Sequence, residues 1–110
     1  MYSIILLNWG RPNNVYKIVD NMKKYKYIDE IIISNGKEEN SVKIKDNKVR
    51  VFNDFYINNK YGLDRRFING LRAKNNDIII IDDDININEN ELNKLISEYE
   101  NNKNRIVGCV

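Results

Sequence analysis

Short runs of β-branched residues alternate with helical patterns along this chain, and this alternation limits its fold more than any other feature. The runs are too short for helices and cover residues 2–7, 28–34, 48–52, 77–82 and 105–110. Their nearly continuous hydrophobicity is typical of central parallel strands covered on both faces. The chain is therefore predicted to be one α/β domain over residues 1–110, with an open, mostly parallel sheet of about five strands and flanking helices.

Helical spacing of apolar residues separates these runs. It occurs in three groups: Val15, Ile18, Val19 and Met22; Leu63, Phe67 and Leu71; and Leu92, Leu95, Ile96 and Tyr99. Pro12 stands where a first helical turn tolerates proline. Asn88, with Glu91 three residues later, predicts the N-cap of the last helix. Residues 36–47 are polar and predict a loop.

The composition excludes several kinds of site. The chain has no histidine and one cysteine, Cys109, which rules out histidine-dependent catalysis, histidine-ligated zinc and an intrachain disulfide. Any metal must be held by oxygen, which favours Mg²⁺, Mn²⁺ or Ca²⁺. With 18 basic and 16 acidic residues, the net charge is only +2. This balance gives no support for a nucleic-acid partner bound through bulk charge.

The first apolar run, residues 2–7, is too short for a signal peptide or a membrane span and has no basic residues before it. We interpret it as a buried strand and expect a cytoplasmic protein. Ligands of open parallel sheets bind at the carboxyl ends of the strands. The segments that follow the first four runs contain the polar, aromatic and arginine residues, in the order NWGRP, NGK, NDFYINNKYGLDRR and DDDI.

Three aspartates follow the fourth run directly, in the sequence IIIIDDDI of residues 78–85. In an extended backbone Asp82 and Asp84 point to one side and Asp83 to the other. Two converging carboxylates repel each other unless a cation lies between them. A divalent ion carrying a nucleoside diphosphate would relieve that repulsion. The alternative is an ordinary turn or cap, for which aspartate is also common, and Asp83 has a solvated carboxylate as its own alternative.

The order of these segments resembles the exostosin-like transferases, glycosyltransferase family 64, which have the GT-A fold. The matching stretches are IILLNWGRP, EIIISNGK, NNKYGLDRRF, DIIIIDDDI and ISEYENNKNRIVGCV. The aspartate triplet with its flanks and the Arg-Ile-Val-Gly ending are the more specific of these. The resemblance implies a Rossmann-like half of a GT-A enzyme that binds a nucleotide-sugar, with UDP-sugars as the expected donors and retention of anomeric configuration.

The resemblance also implies a role for each matching position. Asp84 would coordinate Mn²⁺ or Mg²⁺, and Asp82 would contact the ribose or a metal-bound water, with Asp83 completing the nucleotide-sugar-binding triplet. The segment after the first strand would hold the base and phosphates, through the backbone of Leu7 and Asn8 and through Trp9 and Arg11. Asn35 would bond the base edge. Asn59 and Arg66 would reach the uracil, ribose or donor sugar, and Arg65 is an equal candidate because this segment is longer here than in the family.

Several of these residues have simpler interpretations. Arg11 and Arg66 suit bidentate phosphate contacts and equally suit a solvated surface. Trp9 can stack on a base, although covering the sheet edge is the interpretation we prefer. Asn35 precedes a glycine and can belong to a plain turn. Asp54 and Asp64 can assist the site, although helix capping is the simpler account of Asp64.

Family members continue beyond the matching segment into an acceptor-binding half. Three hypotheses follow: a minimal metal-dependent glycosyltransferase whose groove is shared with a second copy, a fragment, or a nucleotide-sugar-binding module without catalysis. We expect a homo-oligomer, and a glycan or protein as the acceptor. A receiver-like signalling domain has the same alternation of elements but needs acidic residues after the first strand, where this chain has Asn8, Trp9 and Gly10.

Overall fold

The computed structural model describes residues 1–62 and 65–103. The strands are β1 (Tyr2–Asn8), β2 (Ile28–Asn35), β3 (Val49–Asn53) and β4 (Ile78–Asp82). The helices are α1 (Pro12–Met22), α2 (Phe55–Tyr61), α3 (Arg65–Gly70) and α4 (Glu89–Asn101), with a short 3₁₀ helix at Glu38–Asn40. The predicted fifth strand, residues 105–110, lies outside the described residues.

The strands form a parallel sheet in the order β3-β2-β1-β4. This confirms the predicted α/β fold, with four strands in the described part of the chain. From β1 the chain moves outward to β2 and β3 and then returns to the other side of β1 to form β4. The direction of winding therefore reverses between β1 and β4. In open parallel sheets the crevice beyond this reversal point is where ligands bind.

Alternate residues of each strand enter two hydrophobic clusters, one on each face of the sheet. The larger cluster joins the strands to α1 and α4, with Val15 and Leu92 fully buried in it. The smaller cluster is centred on Ile5, Leu7 and Ile32. Within this arrangement α4 begins as predicted, because the Asn88 side chain accepts a hydrogen bond of 2.8 Å from the Glu91 N–H.

The helix α3 does not bury the apolar residues that the sequence pattern singled out. Phe67 is 66% exposed in α3 and Leu71, just after the helix, is 89% exposed, while Leu63 lies outside the described residues. The helix buries Arg65 and Asn69 instead. The helical spacing was thus a correct signal for a helix, but its apolar residues do not mark the buried face. Within residues 1–62 and 65–103, no helix has the length and apolar character needed to cross a membrane.

Two buried carboxylates tie the edges of the smaller face together. Glu30 accepts hydrogen bonds from Ser3, Arg50 and the Lys74 N–H. Asp54 accepts a bidentate pair from Arg72, at 2.8 and 3.0 Å. Burial raises the pKa of each carboxyl, but these hydrogen bonds and the arginine charges outweigh it, so the pKa of both Glu30 and Asp54 lies below its ordinary value.

These lowered pKa values predict acid unfolding. A carboxylate with a lowered folded-state pKa contributes stability that is complete above its unfolded pKa, about 4 for Asp and Glu, and is lost as the pH falls through the folded pKa. We therefore expect the urea midpoint to stay level from neutral pH to about 5 and then to fall. Glu30→Gln should lower the neutral-pH midpoint and make the acid fall shallower. If the urea midpoint of Glu30→Gln falls below pH 5 as steeply as that of the parent protein, Glu30 does not contribute to acid unfolding.

Candidate functional site

A polar cleft opens at the reversal point of the sheet, between the loop after β1 and the loop after β4. The two strand ends are in register, with Leu7 opposite Asp82. The cleft has a volume of about 490 Å³. It is lined by Gly10, Arg11, Pro12, Asn13, Asn14, Lys17, Asp84 and Asn86. Two predicted site residues, Arg11 and Asp84, thus face the same space.

Asp83 does not face this cleft as a ligand would require. Its side chain is buried, with a residue exposure of 8%. One carboxylate oxygen, Oδ2, accepts hydrogen bonds from the backbone N–H groups of Trp9 (2.9 Å), Gly10 (2.9 Å) and Arg11 (3.2 Å). Arg11 also places a guanidinium nitrogen 3.5 Å from Oδ1. The solvated alternative for Asp83 is therefore wrong, because its carboxylate binds backbone N–H groups and lies close to an arginine of the protein itself.

The environment of Asp83 favours its ionised form. Burial raises the pKa of the carboxyl, but the three backbone N–H groups and the Arg11 charge outweigh burial and hold the pKa below its ordinary value. The backbone carbonyl of Asp83 is also engaged, since it accepts a hydrogen bond of 2.6 Å from the Asn14 side chain. Asp83 consequently joins the tip of β4 to both the β1–α1 loop and the first turn of α1.

The alternation expected across the aspartate triplet stops at Asp82. The strand ends there, and the Ile85 N–H donates to the Asp82 carbonyl at 3.2 Å, which closes a turn. The premise of an extended backbone through Asp84 is therefore wrong. Asp82 continues the sheet face of Ile80, while Asp84 is exposed and lines the cleft.

The ligand atoms around Asp84 suit a hard cation that takes most of its ligands from a substrate and from water. Within the described part of the chain, no group of three or more acidic or cysteine side chains is placed to hold a metal ion. The exposed carboxylate of Asp84 is an oxygen ligand of the kind that Mg²⁺ and Mn²⁺ prefer. Because Mg²⁺ is commonly bound by one or two carboxylates plus substrate phosphates and water, this sparse donor set fits such an ion.

A row of asparagine amides crosses the carboxyl ends of three strands. Asn8, Asn35 and Asn53 are paired in register, and Asn35 bonds both neighbours, accepting from Asn8 at 2.8 Å and donating to Asn53 at 3.0 Å. Asn35 also exchanges hydrogen bonds with both backbone groups of Val42. Its amide is fully engaged and buried, so the predicted contact with a base would require the loop at Val42 to give up a bond.

Arg65 is the buried cation of the site, with an exposure of 2%. Its guanidinium donates to the Asn58 side chain at 3.0 Å and to the Asn8 carbonyl at 3.3 Å. Burial lowers the pKa of Arg65, and the charges of nearby aspartates, Asp82 among them, act in the opposite direction. None of the ion pairs between described residues involves Arg65. Its positive charge lies beside the ends of β1 and β2.

Among residues 1–62 and 65–103, two buried polar atoms at this cation have no hydrogen-bond partner. Within the described part of the chain, Nε of Arg65 and Oδ1 of Asn8 make no hydrogen bond. Buried polar groups almost always make hydrogen bonds, so a further partner is expected for each of these two atoms. Arg65 Nε is a donor and Asn8 Oδ1 is an acceptor, and the two residues contact each other through the Asn8 carbonyl. A ligand or water carrying both an acceptor and a donor would satisfy the pair.

Gly36 makes room for this guanidinium. A Cβ atom built on Gly36 would lie 1.6 Å from Nη1 of Arg65. The Gly36 N–H also donates to the Asn8 carbonyl at 2.8 Å, the same oxygen that Arg65 bonds. Sequence reasoning missed Gly36 and Asn58 as supports of Arg65. The Asn-Gly pair after β2 was a visible signal, but it also suits an ordinary turn.

The remaining predicted residues lie around this centre. Trp9 is 52% exposed, with Lys37 Nζ 4.7 Å from its ring centroid, so it does not serve as the covering of the sheet edge that we preferred. Leu7 is buried in the smaller cluster. Asn59 is exposed on α2, and it is its neighbour Asn58 that reaches Arg65. Arg66 is half-buried on α3.

Comparisons with known proteins connect this geometry to a family. A search of curated proteins and a search of solved structures each found no match. The model of the glycosyl transferase family 64 domain, however, matches residues 2–110, nearly the whole chain. The matched range includes both loops of the cleft, the buried arginine and the aspartate triplet. The chain therefore belongs to glycosyl transferase family 64.

Proposed function

We propose that this protein is a metal-dependent glycosyltransferase that takes its sugar from a nucleoside diphosphate, with UDP-sugars as the donors. The observation that carries the proposal is the charge arrangement at the reversal point of the sheet. An exposed carboxylate, Asp84, lies in the cleft on one side, and the buried cation Arg65 lies beside the ends of β1 and β2. A ligand with a diphosphate needs both: oxygen ligands for its cation and a positive charge for its own oxygens.

Asp84 and Asp82 are the residues that would hold Mn²⁺ or Mg²⁺. When bound, such an ion would neutralise charge that develops on the departing diphosphate. Arg65 would also stabilise this negative charge, because a guanidinium that is already fixed in a buried position does not need to reorganise. Nε of Arg65 and Oδ1 of Asn8, which have no hydrogen-bond partner among the described residues, would offer one donor and one acceptor to the nucleotide. Trp9, with an exposed ring next to this loop, offers a stacking surface.

The proposal predicts a metal-dependent rise in melting temperature with UDP. A ligand that binds only the folded state stabilises it by about 2.7 kcal/mol at a concentration about 100 times its Kd. We expect UDP with Mn²⁺ to raise the melting temperature by several degrees and UDP with EDTA to raise it far less. Asp84→Ala should remove the metal-dependent part, because it deletes a metal ligand from an exposed position. Glu98→Ala, an exposed carboxylate on α4, is the matched control and should respond like the parent protein.

Catalysis is tested separately from binding. Release of UDP from a panel of UDP-sugars with Mn²⁺, measured with and without candidate glycan acceptors, should be detectable and should disappear in Asp84→Ala. Metal-dependent UDP binding without UDP release from any sugar would leave a binding module as the function. A melting temperature that responds equally to UDP in Mn²⁺ and in EDTA would contradict the metal-dependent proposal itself.

A further inference from the structure

The middle aspartate of the triplet occupies a position that an anion from solution could take. The backbone N–H groups of Trp9, Gly10 and Arg11 are consecutive and converge on one oxygen of Asp83. Convergent N–H groups of this kind form a concave anion-binding site, often used for phosphate. Here the chain fills that site with its own buried carboxylate. The bonds from Trp9 and Gly10 are 2.9 Å long, and the Arg11 guanidinium lies 3.5 Å from the other carboxylate oxygen, Oδ1.

This arrangement has a consequence for the neighbouring cleft. Gly10 and Arg11 line the cleft opposite Asp84, and they are held in place by bonds to Asp83. Asn14, which also lines the cleft, bonds the Asp83 carbonyl. One residue therefore sets the distance between the two walls, since it belongs to the β4 wall and bonds three residues of the other.

We infer that Asp83 is a positioning residue that acts as a built-in anion for the β1–α1 loop, leaving the donor diphosphate to Asp84 with its cation and to Arg65. The inference rests on the proposed function for its second half. The first half, an internal carboxylate that orders the loop, stands on the hydrogen bonds alone. It also separates the roles within the triplet: the outer aspartates are available to a metal, and the middle one is not.

The test is chemical rescue of Asp83→Ala by formate. Removing the side chain leaves three N–H groups directed at a space that a small carboxylate can enter. We expect Asp83→Ala to melt at a lower temperature than the parent and to bind UDP with Mn²⁺ roughly tenfold more weakly, because the loop must now be ordered on binding. Millimolar formate should restore much of both losses. The same formate should leave the parent protein and Asp84→Ala unchanged, since neither has an empty place at this loop.

Amide NMR provides the readout that does not depend on nucleotide. The backbone amide protons of Trp9, Gly10 and Arg11 should shift upfield in Asp83→Ala and return towards their original positions as formate is added. If Asp83→Ala does not fold, Asp83→Asn should retain the fold and show the same amide shifts in part, because its single carbonyl oxygen still accepts. These shifts test the internal anion even if UDP does not bind, so failure of the proposed function and failure of this inference are distinguishable.

Two results would overturn the inference. The first is that formate leaves the melting temperature and the amide shifts of Asp83→Ala unaltered, which would show that the loop does not require an anion. The second is that Asp83→Ala without formate binds UDP more tightly than the parent protein. The phosphates would then be occupying the loop N–H groups, and Asp83 would be a competitor of the ligand rather than a positioning residue.

Discussion

Gly36→Ala is expected to weaken nucleotide binding about as strongly as Arg65→Ala, although residue 36 itself contributes no side chain to the site. The Cβ atom would lie 1.6 Å from Nη1 of Arg65. A flexible arginine could move aside at a surface, but this guanidinium is buried and bonded to Asn58 and Asn8. The Arg65 guanidinium must therefore move out of its buried position and break these hydrogen bonds. Loss of hydrogen bonds to a charged group costs about 1.5–3 kcal/mol, so we expect roughly a 10- to 100-fold rise in the Kd for UDP with Mn²⁺.

A glycine elsewhere near the same helix separates this effect from a general effect of glycine replacement. At Gly70, at the end of α3, a new Cβ would meet only the tip of Ile78, at 3.3 Å. Gly70→Ala should bind UDP like the parent protein when both are titrated by calorimetry with Mn²⁺. The double variant with Gly36→Ala and Arg65→Ala should bind no more weakly than Arg65→Ala alone. Fully additive losses would contradict the idea that Gly36 acts through Arg65.

Asp54→Ala is expected to destabilise the fold by about 3 kcal/mol. Asp54 is buried at the start of α2 and makes a bidentate ion pair with Arg72, which follows α3. It also accepts a hydrogen bond from Ser34 near the end of β2. Removing one partner of a buried pair leaves the other charge without compensation, and this costs more than the pair contributed. Because Arg72 retains some access to water, the lower part of the range for buried pairs applies.

The measurement for Asp54→Ala is urea unfolding followed by circular dichroism. Its matched control is Asp20→Ala, which breaks an ion pair between Asp20 and Lys23 on the exposed side of α1. Exposed pairs contribute little, so the control should have the midpoint of the parent protein. Equal urea midpoints for Asp54→Ala and Asp20→Ala would show that the Asp54–Arg72 pair does not stabilise the smaller face of the sheet.

The acidic triplet shows how much of a site a sequence can predict. Three like charges after an apolar strand predicted a ligand site at the carboxyl end of β4, and in the structure Asp84, just beyond that end, lines a cleft. The distribution of roles within the triplet was not accessible in the same way. It depends on where β4 ends and on the β1–α1 loop, whose N–H groups come from residues 9–11, more than seventy positions earlier in the chain. A local sequence pattern cannot show a contact between residues so far apart along the chain.

The sequence by itself determined many elements of this protein, although not α2: four β-branched runs became parallel strands, the 3.6-residue spacing produced α1 and α4, and Asn88 capped α4. These features depend on local propensity and on the period of apolar residues, which neighbours along the chain decide. Only the tertiary structure decided that Arg65 is buried while Phe67 is exposed, that Gly36 makes room for a guanidinium, and that the Asp83 carboxylate accepts hydrogen bonds from the β1–α1 loop. Each of these depends on which distant segments the parallel sheet brings to one edge, and the physical reason is that burial and charge compensation are properties of contacts in space.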